Sequence, residues 1–286
     1  MDIYIDCIPC FARQSVEAAI MASKDPCVRE RIIRKALKKA SEIPFDKTPA
    51  HMGMEIHRII RNLIGDVDPY SSLKSAYNKK ALDLYPYMKT RVENSKDRIE
   101  AAVRIAIAGN IIDFGISPTN NELELKTVID QTMSKPFAIN DLAMLKVSIE
   151  RSQRILYIAD NAGEVVFDRV FIEEIPDYRN RITLAVKGHA VINDATMKDA
   201  EETGITERIR VIDNGSDAPG TILETCKESF RREFSESDLI ISKGQGNYES
   251  LSDCGKTCCY LLKAKCPVIA GHFSVGVGDI IVKFMK

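Results

Sequence analysis

The second half of the chain contains five short apolar runs, and each is followed at once by a compact group of small and polar residues. The runs cover residues 155–159, 182–186, 209–212, 239–242 and 267–270. Runs this short, rich in Ile, Val and Leu without polar alternation, are typical of strands buried on both faces, which occur in parallel sheets covered by helices. We therefore predict a parallel sheet between helical layers in this half of the chain.

The polar groups after these runs should lie along one edge of the predicted sheet. In a parallel sheet all strands end at the same edge, where loops and helix N-termini converge and ligands bind. The groups are Asp160-Asn161-Ala162-Gly163-Glu164, Lys187-Gly188, Asp213-Asn214-Gly215, Lys243-Gly244-Gln245-Gly246-Asn247 and Gly271-His272. Acidic, amide and lysine side chains are concentrated there, so we predict that this edge is the active site.

The first half of the chain has a different period. From about residue 11 to residue 150, apolar side chains recur at three- and four-residue spacing, as in Ile56, Ile59, Ile60 and Leu63, with prolines between the groups. This spacing predicts a bundle of short helices. Because the pattern changes near residues 149–154, we predict an all-helical N-terminal domain over residues 1–150 and an α/β domain over residues 151–286.

Composition excludes several classes of protein. The 286 residues are 45% hydrophobic, which is enough for a sizeable core, and the 40 Lys and Arg against 41 Asp and Glu give a net charge of -1. This balance does not indicate a nucleic-acid-binding protein. No stretch approaches the length of a membrane span, and residues 1–6 lack a basic leader pattern, so we expect a cytoplasmic protein without membrane partners.

The eight cysteines are better interpreted as reduced thiols than as a disulfide framework. Cys7 and Cys10 form a C-x-x-C pair. The simplest interpretation is that both are small apolar residues at the start of a helix, because free cysteines are commonly buried. A structural zinc site needs a second such pair, which the other cysteines do not form, and a thioredoxin-like pair should follow a strand. The role of the pair stays open.

Three familiar phosphate-binding patterns are incomplete. Residues 255–257 resemble the end of a P-loop, but Ser250 stands where that loop needs its first glycine. Residues 244–249 end in Glu249 where a dinucleotide fingerprint needs its third glycine. Asp160 lacks the second aspartate, two residues further on, that a haloacid-type phosphatase would have. The sequence therefore favours neither a nucleotide cofactor nor covalent transfer through Asp160.

Oxygen ligands for a divalent metal fit the edge better. Asp160 and Asn161 follow one predicted strand, and Asn193 and Asp194 lie a few residues past the next. Such side chains, without clustered His or Cys, favour Mg²⁺ or Mn²⁺ over zinc. The alternative is that they are only helix caps and turn formers. At a metal site, Lys243 or Lys187 would supply a second positive contact to a phosphoryl group.

These motifs together resemble the signatures of the metal-dependent damage-control phosphatases, the family of domain of unknown function 89. The matching segments are Asp160 to Glu164, Lys187-Gly188 with Asn193-Asp194-Ala195, Ser242 to Glu249, and Gly109-Asn110-Ile111-Ile112-Asp113. The Cys7-x-x-Cys10 pair resembles the mark of the prokaryotic subfamily. The resemblance implies a helical domain packed on a Rossmann-like, three-layer α/β/α domain, and metal-dependent hydrolysis of phosphate monoesters such as sugar phosphates or damaged metabolites.

The resemblance also implies roles for individual residues. It assigns a divalent ion (Mn²⁺, Mg²⁺, Co²⁺ or Ni²⁺) to Asp160, Asn161 and Asp194. The implied substrate contacts are Asn110, Asp113, Glu164, Gln245, Gly246, Asn247, Tyr248, Glu249 and Lys263. The Arg-Thr that precedes the lysine in related subfamilies is absent before Lys263, which leaves the leaving group open.

Two other functions stay open at this stage. One is an S-adenosylmethionine-dependent carboxyl methyltransferase, which would need a glycine-rich loop after the first strand, where the sequence has Gly163 alone. The other is a non-catalytic protein that binds phosphorylated metabolites. The physiological substrate and the oligomeric state are open as well.

Overall fold

The computed structural model describes residues 1–65, 67–111 and 122–286. Its helices are α1 (Cys7–Ala22), α2 (Pro26–Glu42), α3 (Pro49–Ile64), α4 (Ser71–Glu93), α5 (Arg98–Ile111), α6 (Glu122–Ser134), α7 (Leu142–Arg151), α8 (Glu164–Ile172), α9 (Tyr178–Arg181), α10 (Met197–Glu202), α11 (Glu228–Glu236), α12 (Gly244–Leu251) and α13 (Pro267–Phe273). Its strands are β1 (Phe137–Asn140), β2 (Ile155–Ile158), β3 (Ile182–Val186), β4 (Arg210–Asp213), β5 (Leu239–Lys243), β6 (Cys258–Lys263) and β7 (Ile280–Met285).

The strands of the described residues form one sheet in the order β1-β7-β6-β5-β2-β3-β4. Strands β4, β3, β2, β5 and β6 are parallel to one another, whereas β7 runs antiparallel to β6. The expected parallel sheet is therefore present in its centre. Since the five parallel strands end at the same edge, the segments that follow β2, β3, β5 and β6 lie together.

Helices cover both faces of this sheet, as the fold prediction requires. Along β2, Ile155 and Tyr157 belong to one hydrophobic core, and Leu156 and Ile158 belong to the other. The first core takes in α4, α5 and α8, and the second takes in α11 and α12. Alternate residues point to opposite faces of a strand, so a strand that is apolar throughout must be buried on both sides.

Two details of the sequence-based prediction are wrong. Residues 267–270 begin helix α13, because Pro267 has no N–H to give to a ladder and its fixed φ suits the first position of a helix. The strand in this region is β6, whose sequence CCYLLK is apolar and buried up to Lys263. In addition, β1 lies before residue 150 and pairs with β7, so the sheet includes a strand from the segment predicted to be all-helical.

The helices of the first half fall into two groups. Helices α1, α2 and α3 share a hydrophobic core of their own that contains Phe11, Ile32, Met52 and Ile56. Helices α4, α5 and α6 instead join the core on one face of the sheet. Of the helices in the described residues, none is both long enough and apolar enough to span a membrane.

Candidate functional site

The loops after β2 and β3 are held side by side by backbone hydrogen bonds. The N–H of Ala162 donates to the carbonyl of Asn193 at 2.8 Å, and the N–H of Ala195 donates to the carbonyl of Asp160 at 2.8 Å. Asn161 and Asp194 thereby face each other in an antiparallel bridge. The structure thus brings together Asp160, Asn161 and Asp194, which stand 34 residues apart in sequence at their extremes.

Two glycines make room for this arrangement. Gly244 has φ +79°, and a Cβ there would overlap the carboxylate of Asp160. Gly163 has φ +75°, a Cβ there would lie 3.1 Å from the carbonyl oxygen of Tyr77, and its N–H donates to Oδ1 of Asn78 at 2.7 Å. Glycine adopts a positive φ without a steric penalty, and it has no Cβ that would collide with a neighbour. The glycines next to the polar groups are therefore needed for close packing at the strand ends.

Two asparagines connect Asp160 to Glu164, the first residue of α8. Nδ2 of Asn110 lies 2.8 Å from Oδ2 of Asp160 and 3.3 Å from Oε2 of Glu164. Nδ2 of Asn161 lies 3.1 Å from each of the same two oxygens. Asn110 belongs to α5, so the helical first half of the chain contributes directly to the site. Asp113, predicted with it, lies outside the described residues.

The carboxylates of the site are buried close to one another. Burial raises the pKa of Asp160 to about 7, and the nearby carboxylates of Glu164 and Asp194 add to this rise. Burial also raises the pKa of Asp194, although the positive charge of Lys187 opposes it. Among the described residues, Oδ2 of Asp194 has no hydrogen-bond donor, and Nζ of Lys187 lies 3.4 Å away. The side chains of Asp160, Glu164 and Asp194 are therefore buried together in one site.

Lys243 is buried in the protein and does not line the cavity described below. Its side chain is fully buried, and its ammonium contacts Oε1 of Glu164 at 2.6 Å, the carbonyl of Ala106 at 2.8 Å, and Oδ1 of Asp168. An ammonium has three donors, and all three are used here. The predicted contact of Lys243 with substrate is corrected to a supporting role behind Glu164. Sequence analysis missed Asp168, which also accepts a hydrogen bond from Tyr157 at 2.7 Å.

A cavity of about 410 Å³ opens above the paired loops. Its floor includes Asp160, Asn161 and Asp194, and its walls come from α1, the start of α3, α12 and the segment after β6. Helix α3 begins at Pro49 with a reciprocal cap between Thr48 and His51, which fixes the end of the helix that faces the cavity. The cavity therefore lies between the N-terminal helices and the carboxyl edge of the sheet.

The predicted substrate segment at 245–249 divides into two sets. Gln245, Gly246 and Glu249 line the cavity. Asn247 is buried and bonds the carbonyls of Ala159 and Lys243, and Tyr248 packs against Tyr260 with ring centres 5.1 Å apart. Because one face of α12 must pack on the sheet, the buried side chains of Asn247 and Tyr248 stabilise the fold, and their predicted substrate contact is not supported.

Lys265 lines the cavity, whereas Lys263 does not. Lys265 is exposed, its backbone N–H donates to Oε1 of Gln245 at 3.0 Å, and no ion pair engages its ammonium among the described residues. Its positive charge acts on both Asp160 and Glu249. Lys263 is the last residue of β6 and faces Gly278, so the cavity lysine is the next one along the chain. The sequence analysis did not identify Lys265, because strand β6 was not predicted and the segment after its end was therefore not placed at the polar edge of the sheet.

The C-x-x-C pair also lies at this cavity. Cys7 is the first residue of α1, Cys10 follows one turn later, and both line the cavity together with Cys266, which caps α13. Burial raises the pKa of Cys7, and the neighbouring Glu249 adds to the effect. The pair therefore lies beside the candidate site, while its chemical role stays open.

Comparisons with known proteins agree with this architecture. A family model for the damage-control phosphatase ARMT1-like domain matches residues 3–281. A damage-control phosphatase of Pyrococcus horikoshii is 32% identical, over 98% of this chain and 97% of that protein. An uncharacterized protein of Methanocaldococcus jannaschii is 37% identical, over 97% of this chain and 93% of that protein.

The fold agrees as well. The crystal structure of a protein of the domain of unknown function 89 family from Pyrococcus horikoshii superposes with a TM-score of 0.91 at 31% identity, and the match covers 100% of both chains. The resemblance seen in the sequence motifs is thereby confirmed. The chain belongs to the damage-control phosphatase ARMT1-like domain family.

Proposed function

We propose that this protein is a divalent-metal-dependent phosphatase that hydrolyses phosphate monoesters of small metabolites. The observation that carries the proposal is the pair of buried carboxylates, Asp160 and Asp194, at the floor of a cavity of about 410 Å³. The phosphatase names of the relatives support the same reaction class. A cavity of this size suits a small phosphorylated metabolite.

The chemistry of the donor set fits a hard divalent cation. Within the described ranges no three His, Cys, Asp or Glu side chains are grouped so that they could hold a metal ion by themselves. Two carboxylates, of Asp160 and Asp194, and the amide of Asn161 would hold the ion, and water or substrate oxygens would complete its ligands, as is usual for Mg²⁺. When bound, such an ion neutralises phosphoryl oxygens and lowers the pKa of a water. Oδ2 of Asp194 has Lys187 at 3.4 Å but accepts no hydrogen bond among the described residues, and together with the raised pKa of Asp160 this supports the fit.

Other side chains of the cavity supply positive charge and a proton. The exposed ammonium of Lys265 lies on the cavity wall and is suited to contact a phosphoryl oxygen. Burial raises the pKa of Glu249 to about 7, although the hydrogen bond from Gln245 lowers it. A carboxyl that is partly protonated at neutral pH can donate its proton to a leaving alkoxide. Glu164 and Asn110 orient Asp160 through the hydrogen bonds described above.

The test measures phosphate release by the full chain from a panel of sugar phosphates and other small monoesters. We expect turnover with Mn²⁺, Mg²⁺, Co²⁺ or Ni²⁺ and loss of turnover with EDTA. Asp194→Asn should abolish most of the activity. Asp213→Asn is the matched control, because Asp213 ends the parallel strand β4 but pairs with Lys227 and does not line the cavity. Release that persists in EDTA, or in Asp194→Asn, contradicts the proposal.

No observation favours the two alternatives. An S-adenosylmethionine site on this kind of sheet would need a glycine-rich loop after its first strand, and the segment that follows β2 has Gly163 alone. A protein that binds phosphorylated metabolites without turnover would release no phosphate from any member of the panel, with or without a divalent ion. The assay therefore separates this alternative from the phosphatase.

A further inference from the structure

A second pair of cysteines lies in the turn that joins α12 to β6. Sγ of Cys254 and Sγ of Cys258 are 3.9 Å apart. Both thiols also point at one backbone carbonyl, that of Lys256, at 3.3 and 3.6 Å. Neither cysteine lines the cavity of the candidate site. The two sulfurs therefore form a separate cluster of nucleophiles.

The two thiols differ in their access to solvent. Cys254 is half-buried, whereas Cys258 is the buried first residue of β6. The turn between them contains Gly255, whose φ of +74° folds the chain back so that the two side chains meet. A disulfide needs a sulfur–sulfur distance of about 2 Å, so the two sulfurs must approach each other before the bond forms. A dissolved oxidant reaches Cys254 first, and Cys258 is in place to attack it next.

We propose that Cys254 and Cys258 are an oxidation-sensitive dithiol that a peroxide or a low-molecular-weight disulfide converts to an intramolecular disulfide. With hydrogen peroxide, the thiolate of Cys254 attacks one oxygen, the O–O bond breaks, and a sulfenic acid and hydroxide form; the hydroxide takes up the proton that the Cys254 thiol had released and becomes water. The sulfur of Cys258 then attacks Sγ of Cys254, the S–S bond forms, and hydroxide leaves and takes the proton as water. Two thiols and one peroxide thus give one disulfide and two waters.

The electrostatics of the pair agree with these roles. The pKa of Cys254 is lowered to about 6, chiefly because the thiol of Cys258 donates a hydrogen bond to its thiolate. The same contact raises the pKa of Cys258. Burial raises the pKa of Cys259 well above its ordinary value, so this neighbouring thiol stays protonated. Since the thiolate is the reactive form, Cys254 is the expected attacking residue.

Trypsin allows a direct test, because it cleaves after Lys256 and separates the two cysteines into residues 244–256 and 257–263. The full-length protein is treated with hydrogen peroxide or oxidised glutathione, blocked with a maleimide, denatured and digested. We expect these two peptides to appear joined, with the loss of two hydrogens. We also expect Cys254 to be consumed before the exposed Cys27.

Two variants assign the linked sulfur, since residues 257–263 also contain Cys259. Cys259→Ala should keep the joined peptides. Cys258→Ala should lose them and leave Cys254 as a sulfenic acid or a mixed disulfide with glutathione. The proposal is overturned if Cys254 stays reduced while Cys27 reacts, or if the joined peptides persist in Cys258→Ala. The outcome does not depend on the phosphatase activity.

Discussion

Nζ of Lys243 lies 2.6 Å from Oε1 of Glu164, and both side chains are fully buried. The other carboxylate oxygen of Glu164 accepts hydrogen bonds from Asn110 and Asn161, which also bond Asp160. Lys243 is therefore linked to Asp160, which lines the cavity, only indirectly through Glu164 and the two asparagines. Its charge orients the site from inside the protein, because a buried carboxylate needs a paired cation.

Replacing this lysine should destabilise the whole protein. Lys243→Met leaves Glu164 and Asp168 buried without their cation, and breaking a buried pair in this way typically costs about 3–5 kcal/mol. Chemical denaturation monitored by circular dichroism measures the change. Lys265→Met removes an exposed lysine and should stay within about 0.5 kcal/mol of the wild type. Equal stability of the two variants would contradict the supporting role of Lys243.

The exposed lysine should instead matter for turnover. If Lys265 contacts the phosphoryl group, Lys265→Ala removes a charge-assisted hydrogen bond of about 1.5–3 kcal/mol, which is roughly a 10- to 100-fold loss in kcat/KM. Lys263→Ala is the matched control two residues earlier, outside the cavity lining. Phosphate-release kinetics over several substrates measure both variants. A larger loss of activity in Lys263→Ala than in Lys265→Ala would show that Lys263 contacts the substrate, as the sequence analysis expected.

A methyl group at Gly244 should disrupt the site itself. In Gly244→Ala the new Cβ would overlap the carboxylate of Asp160, in addition to the strain of φ +79°. We expect loss of most activity and a stability loss larger than that of Gly204→Ala. Gly204 also has a positive φ, +69°, but nothing lies within 4 Å of an added Cβ, so strain alone should cost about 1–2 kcal/mol. An active, equally stable Gly244→Ala protein would show that the backbone adjusts.

The raised pKa of Glu249 predicts a pH dependence of stability. Between its ordinary value of about 4.5 and its folded value of about 7, the folded protein holds a proton that the unfolded chain has released. The free energy of unfolding should therefore fall as pH rises through this window, by at most about 1.4 kcal/mol per pH unit from this group. Glu249→Gln should reduce that slope in denaturation curves measured from pH 4 to pH 7.

The control for the pH series is Glu236→Gln, which changes an exposed carboxyl at the end of α11. This variant should keep the wild-type slope. If Glu249→Gln and the wild type lose stability in parallel as pH rises, Glu249 does not hold the extra proton.

The local sequence was sufficient for the elements that are apolar throughout. The run at residues 182–186 coincides with β3, because a strand that is buried on both faces needs apolar side chains at every position. The strand predicted at residues 267–270 is wrong for a reason that is visible in the sequence, namely Pro267, which lies at the start of helix α13. Strand β1, of four residues, pairs with a strand more than a hundred residues later, and no local pattern indicates such a partner.

By itself, the sequence determined the class of the sheet, the edge at which polar residues gather and the family signature, because each depends on short-range pattern and on the shared direction of parallel strands. Only the tertiary structure decided which of those residues face the cavity. Lys243 and Tyr248 are turned into the protein, whereas Glu249 and Lys265 reach the cavity. The direction of a side chain at a strand end depends on what packs behind it, and those partners, such as Asp168 and Asn110, come from other elements of the fold.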